Sequence, residues 1–177
     1  VVSNAATTCA VVDAVYYGKP LYERIVTVTG HAVKAPKNIL LRFGTSIREA
    51  VEFAGGYSQQ PGKILSGGPM MGVAMASDEV PLDKRNNGIL VMTVEESIPK
   101  AIDPCIRCGR CVEACPMHLE PLMLANDVRI GNYDSAREYY IKQCIECGTC
   151  VYSCPSNRPL LQWIRFGKAE IAKMDRK

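Results

Sequence analysis

Residues 105–116 read CIRCGRCVEACP, and residues 144–155 repeat the phrase as CIECGTCVYSCP, 39 positions further on. Both copies are C-x2-C-x2-C-x3-C-P and agree at eight of twelve positions. Three thiolates two residues apart on a tight irregular loop can reach three irons of one [4Fe–4S] cubane, because the backbone wraps around it. The fourth cysteine, followed by proline, points away from that loop. In two-cluster ferredoxins it ligates the other cluster. On this pattern Cys105, Cys108, Cys111 and Cys154 are expected to hold one cluster, and Cys144, Cys147, Cys150 and Cys115 the second. Gly109 and Gly148 recur in both copies, where a glycine lets the loop pass close to inorganic sulfide and lets backbone N–H groups donate to it.

Zinc also accepts four thiolates, but zinc ribbons pair two C-x2-C knuckles and do not need the progression to C-P. A disulfide framework fits less well still. Eight of the nine cysteines sit in two tight blocks, and the start Val1-Val2-Ser3-Asn4 has no basic or apolar leader. Clustered cysteines without an export signal point to metal and a reducing compartment. Net charge is +3, too slight for a nucleic-acid footprint. Apolar runs such as residues 88–92 are far short of the roughly 20 residues that cross a bilayer. With all eight block cysteines engaged as ligands, no iron keeps an open position for substrate, so the clusters suit one-electron relay.

The chain divides by composition into residues 1–22, 23–94 and 95–177. The first part is small and apolar with a turn at Gly18-Lys19-Pro20, and reads as the end of a larger domain, so the chain is expected to be a piece of a longer subunit. The middle part mixes α and β. Strands are expected at 24–29, 39–43, 63–65 and 89–94, with a hairpin turn at 35–38. Ser46 and Glu49 have capping-box spacing before the apolar stripe Ile47, Ala50, Val51 and Ala54, and Gly55-Gly56 ends that helix. The whole describes an α+β unit of the β-grasp kind. From Glu95 onward no strand signal remains. Helices are expected after Pro121, from Asp134 to about Gln143 with Ser135 and Glu138 as its cap pair, and after Pro159. This is an α-helical ferredoxin-like domain around two iron–sulfur clusters.

The resemblance is closer than a fold. CIRCGRCVEACP and CIECGTCVYSCPSNRPLLQWIRFGKAEI resemble the cluster domain of the C subunit of the Rnf complex, the membrane-bound, ion-pumping ferredoxin:NAD oxidoreductase. RIVTVTG at 24–30 and SGGPMMG at 66–72 are similar to its soluble-ligand-binding β-grasp domain. VVSNAATTCA and Gly18-Lys19-Pro20-Leu21 resemble the end of its flavin domain. The resemblance implies an electron-transfer subunit on the cytoplasmic side of the membrane, working with other subunits and a ferredoxin-like iron–sulfur partner. FMN and NAD(H) belong to an upstream glycine-rich loop of the type GRGGAGFP, which this sequence does not contain. Asn4 and Thr7 fall where related flavin domains place residues beside FMN, but two residues cannot hold it alone. The cobalamin reductase of microcompartments shares the domain order, and a non-catalytic docking module for redox partners is a further alternative. The Ser156-Asn157-Arg158-Pro159 segment fits the Rnf subunit better.

The remaining candidates have plainer readings. Residues 67–72 are expected to form a structural turn with Met70 and Met71 filling the core. His31 and His118 stand without partners at ligand spacing. Cys9 is expected to be a small buried hydrophobe, and Trp163 and Phe166 to pack beneath the clusters. Arg107 and Arg110 read as a solvated face, with attraction of an acidic partner as the alternative.

Overall fold

Valines and isoleucines alternate through residues 25–28 and 89–91, and that alternation builds the centre of a sheet. The computed structural model describes residues 2–176. It falls into two units, one up to Ile98 and one from Pro99. The first opens with helix α1 (Ala5–Tyr17), whose N-cap is Asn4 and whose C-cap Gly18 is left-handed. A mixed five-stranded sheet follows, formed by β1 (Glu23–Thr29), β2 (Lys37–Arg42), β3 (Pro61–Ser66), β4 (Val73–Met75) and β5 (Gly88–Thr93). Its order is β2-β1-β5-β3-β4, with β1 and β5 parallel at the centre and the other pairs antiparallel. Helix α2 (Ile47–Phe53) links the β1–β2 hairpin to the rest, which is the β-grasp arrangement expected from the sequence. Val26, Val28, Ile89 and Val91 on the sheet close against Ile47, Ala50, Val51 and Ala54 of the helix and the following residue, each at most 1% exposed.

The capping box of α2 is present. Ser46 Oγ accepts from Glu49 N, and Glu49 Oε2 accepts from Ser46 N at 2.8 Å. Two orphan donors of the first turn are thereby satisfied reciprocally. Ser46→Ala is expected to cost about 1 kcal/mol of stability, read as a lower urea midpoint for sheet unfolding with an unchanged slope. An unchanged midpoint would show that the cap does not bear on stability. Arg48 and Tyr57 OH both donate to Asp78, which is held below the usual carboxylate range chiefly by the Arg48 hydrogen bond. Burial and that same carboxylate push the Tyr57 phenol up to about 12.

Three expectations for this unit are corrected. The strand β4 lies where none was expected, paired with β3 across the 67–72 turn. Met70 and Met71 at that turn are 42% and 55% exposed, so they do not fill the core. Cys9 is exposed, because α1 buries none of its side chains against the described residues. His31 Nδ1 meets Glu96 Oε1 at the surface, a side-chain contact and not a ligand set.

The second unit is helical, with α3 (Arg110–Glu113), α4 (Pro121–Arg129), α5 (Tyr133–Glu138), α6 (Thr149–Tyr152) and α7 (Leu160–Met174). The long helices α4 and α7 pack on each other through Leu124, Val128, Ile164 and Ile171, which are 0–2% exposed. They touch closely at Gly167, where an added Cβ would stand 2.3 Å from Val128 Cγ2. The segment expected as one helix to Gln143 breaks at Tyr140, which is left-handed (φ 58°), and resumes as a 3-10 turn at Ile141–Gln143. Its cap is Asn132, whose side chain accepts from Ser135 N, while Ser135 Oγ donates to the buried Asp127. Arg137 and Lys142 both hold Asp175, fixing the end of α7. Among the described residues no helix is long and apolar enough to cross a membrane.

Candidate metal centres

Each cysteine block forces the same backbone. Left-handed residues are costly for any side chain but glycine, yet they recur 39 positions apart in pairs. Arg107 and Glu146 have φ of 55° and 58°, Gly109 and Gly148 of 77° and 82°, His118 and Asn157 of 52° and 49°. The first pair turns a backbone N–H back onto the block's first sulfur: Arg107 N donates to Cys105 Sγ at 3.4 Å, and Glu146 N likewise to Cys144. The glycines start the short helices α3 and α6, which carry the third cysteine. The third pair closes the turn after the fourth cysteine, with His118 N donating to Cys115 O and Asn157 N to Cys154 O. The two halves are one structure written twice.

That geometry gathers the eight block thiols into two hollows. Cys105, Cys108 and Cys111 line one together with Cys154. Cys144, Cys147 and Cys150 line the other together with Cys115. Among the described residues no three His, Cys, Asp or Glu side chains close around the position of a single ion. A multi-iron core presents one iron to each thiolate, so its ligands stand around it instead of meeting at one atom.

The hollows differ in surroundings. The first is open: Cys105 and Cys108 are exposed, Ile106 is 68% exposed, and Arg107, Arg110 and Arg158 are on its wall. The second is walled by Leu119, Pro121, Leu124, Leu161 and Ile164, all buried, with no charged side chain in its lining. Burial pushes the Cys150 thiol up to about 11 and raises Cys144 and Cys111, while the Thr149 hydroxyl lowers Cys147. Outside that wall Glu146 is held by Lys168 Nζ at 2.5 Å and Arg165 Nε at 3.0 Å. Burial opposes its ionisation, but the two cations outweigh it and keep its carboxyl low. Lys168 also donates to Cys144 O, tying α7 to the block.

The donor set fits two iron–sulfur clusters. Each hollow offers four soft thiols, and backbone N–H groups already point at sulfur. The buried Arg158 Nε at the first hollow has no hydrogen-bond partner. A buried donor of that kind is costly unless an acceptor meets it, and the sulfur of an anionic cluster is such an acceptor. Deprotonated thiolates would be the ligands, and the clusters would supply one-electron redox chemistry.

Trp163 and Phe166 do not lie beneath the clusters. They form an edge-to-face pair, 6.3 Å between centroids, on the exposed side of α7. Leu161 and Ile164, one helical face away, do that packing. His118 lines neither hollow. Asn4 spends its side-chain oxygen on the cap of α1, accepting from Ala6 N, and Thr7 is exposed on the same helix. Arg158 was not singled out as a site residue from sequence. The signal available was its alignment with Leu119 when the two blocks are overlaid.

Comparison with known proteins names the class first. Residues 25–74 match the SLBB domain and residues 104–158 the 4Fe-4S dicluster domain, so the chain carries one segment of each class. Its relatives are then specific. It is 48% identical over 171 residues, 96% of this chain and 37% of the relative, to the C subunit of the proton-translocating ferredoxin:NAD(+) oxidoreductase complex of Clostridium ljungdahlii. It is 44% identical over 98% of its length, 33% of the relative, to the C subunit of the ion-translocating oxidoreductase complex of Rhodobacter capsulatus. It is 42% identical over 100% of its length, 40% of the relative, to the C subunit of the Na(+)-translocating ferredoxin:NAD(+) oxidoreductase complex of Acetobacterium woodii. The chain is a homologue, along nearly its whole length, of the C subunits of Rnf-type ion-translocating oxidoreductases. It spans between a third and two-fifths of the length of these relatives.

Proposed function

We propose that this chain is the electron-relay part of the C subunit of a membrane-bound, ion-translocating ferredoxin:NAD oxidoreductase. Cys105, Cys108, Cys111 and Cys154 hold one [4Fe–4S] cluster, and Cys144, Cys147, Cys150 and Cys115 hold the other. The observation that carries this reading is the rim of each hollow, which brings together four thiols and no histidine or aspartate, with Glu120 at the first the one carboxylate. With every ligand position taken by cysteine, the clusters pass electrons and bind no substrate. Single electrons move between an FMN and NADH site outside residues 1–177 and a ferredoxin-side iron–sulfur partner, at the cytoplasmic face of the membrane. Residues 1–22, 23–94 and 95–177 then serve as the edge of the flavin domain, the β-grasp domain and the relay.

The protein carried through anaerobic purification should contain about eight irons and eight acid-labile sulfides per chain, with a spin-coupled EPR spectrum after full reduction. Zinc at one or two per chain with no labile sulfide would sink the reading.

A further inference from the structure

Overlaying the two blocks makes the differences between the hollows residue-specific. Where the second hollow has Leu119, the first has Arg158, and where the second has Thr149, the first has Arg110. Met117 of the second corresponds to Ser156 of the first, and the exposed Gly109 to the buried Gly148. Arg107 stands at the position of Glu146, whose charge is taken up by Lys168 and Arg165. Three arginines therefore line the first hollow with one acidic residue, Glu120. The second has a wall without charge, and beside it Glu146 is already ion-paired with both Lys168 and Arg165.

Adding an electron to a cluster adds one negative charge. Cations, hydrogen bonds to sulfur and solvent access stabilise that charge, while an apolar wall does not. We propose that Arg158, assisted by Arg107 and Arg110, makes the first hollow the more readily reduced of the two, so that an electron entering the pair comes to rest there. Arg158 is the positioning residue in this arrangement. Among the described residues lining this hollow, its Nε is the buried side-chain donor that no hydrogen bond satisfies, and Leu119 shows what the same position looks like without it. The step is a one-electron transfer from an external low-potential donor, with no bond formed or broken. The inference rests on the two-cluster reading and adds to it an order of reduction.

The test is an EPR-monitored redox titration of the cluster-loaded full chain, compared with R158Q and R158K. In the parent protein, partial reduction should give an uncoupled spectrum first, and spin coupling only as the second electron enters. Loss of the Arg158 charge should lower the reduced-to-oxidised ratio of the first-reduced cluster about tenfold at a fixed solution potential, a shift of about 59 mV. The other cluster should stay within about twofold, and R158K should restore most of the loss. A soluble paramagnetic relaxation agent assigns the signals, since the cluster rimmed by exposed Cys105 and Cys108 should relax faster. An unshifted potential in R158Q, a shift on the shielded cluster, or reduction of the shielded cluster first would overturn the inference while leaving two clusters in place. Iron and sulfide far below eight per chain would overturn the two-cluster reading and this inference with it.

Discussion

Cys154→Ser is expected to cost the protein about half its iron, from about eight to about four per chain, with the loss confined to the cluster shared with Cys105, Cys108 and Cys111. The expectation follows from the hollows: Cys154 rims the first although its own block rims the second. Double variants decide which residues serve one cluster, because losses at a shared site do not add. C108S/C154S should lose no more iron than either single change. C147S/C154S should retain almost none. If instead C147S/C154S keeps about four irons and C108S/C154S loses all of them, each block holds its own cluster and the exchange of fourth ligands is wrong. Cys115→Ser should mirror the result on the second cluster.

Gly30→Ala is expected to destabilise the first unit severely. Gly30 has φ of 123°, and a Cβ added there would stand 2.0 Å from the carbonyl oxygen of Val91, itself wholly buried in the central strand β5. Neither the backbone oxygen nor the sheet behind it can withdraw without breaking the β1–β5 pairing. The cost is expected to exceed about 4 kcal/mol, which appears as exchange of the Val26 and Val28 amides accelerated about a thousandfold. Trp163, the only tryptophan, lies in the second unit and serves as an internal control, so its emission should not change. Wild-type exchange rates in the variant would show that the close approach at Gly30 is not needed.

Local chemistry made much of this molecule legible in its sequence. The Ser46–Glu49 box, the alternating valines of β1 and β5, and the cysteine spacing each encode their structure within a few residues. The failures have a common cause, since each needed knowledge of what packs from elsewhere. Cys9 looks like a core residue by composition, but α1 has no wall to bury it. Trp163 and Phe166 looked like shields because they are large, yet the helix turns Leu161 and Ile164 inward. Tyr140 takes a left-handed conformation that no propensity favours, and it cuts a helix in two. The strand β4 is three residues long, too short for a period to show. The charge contrast between the hollows lies in the overlay of the two blocks, but that residues 119 and 158 line the hollows at all becomes visible only in three dimensions.

The paired left-handed turns carry a further consequence. A chain containing a single copy of the block would own three corners of a site and a stray fourth cysteine, and two such chains related by a two-fold axis would complete each other. In that symmetric ancestor-like arrangement every substitution would appear at both sites, and the two sites would remain alike. Joining the copies in one polypeptide releases that constraint. Arg158 and Leu119 occupy one position of the repeat, and a two-fold pair of identical chains could not hold one of each.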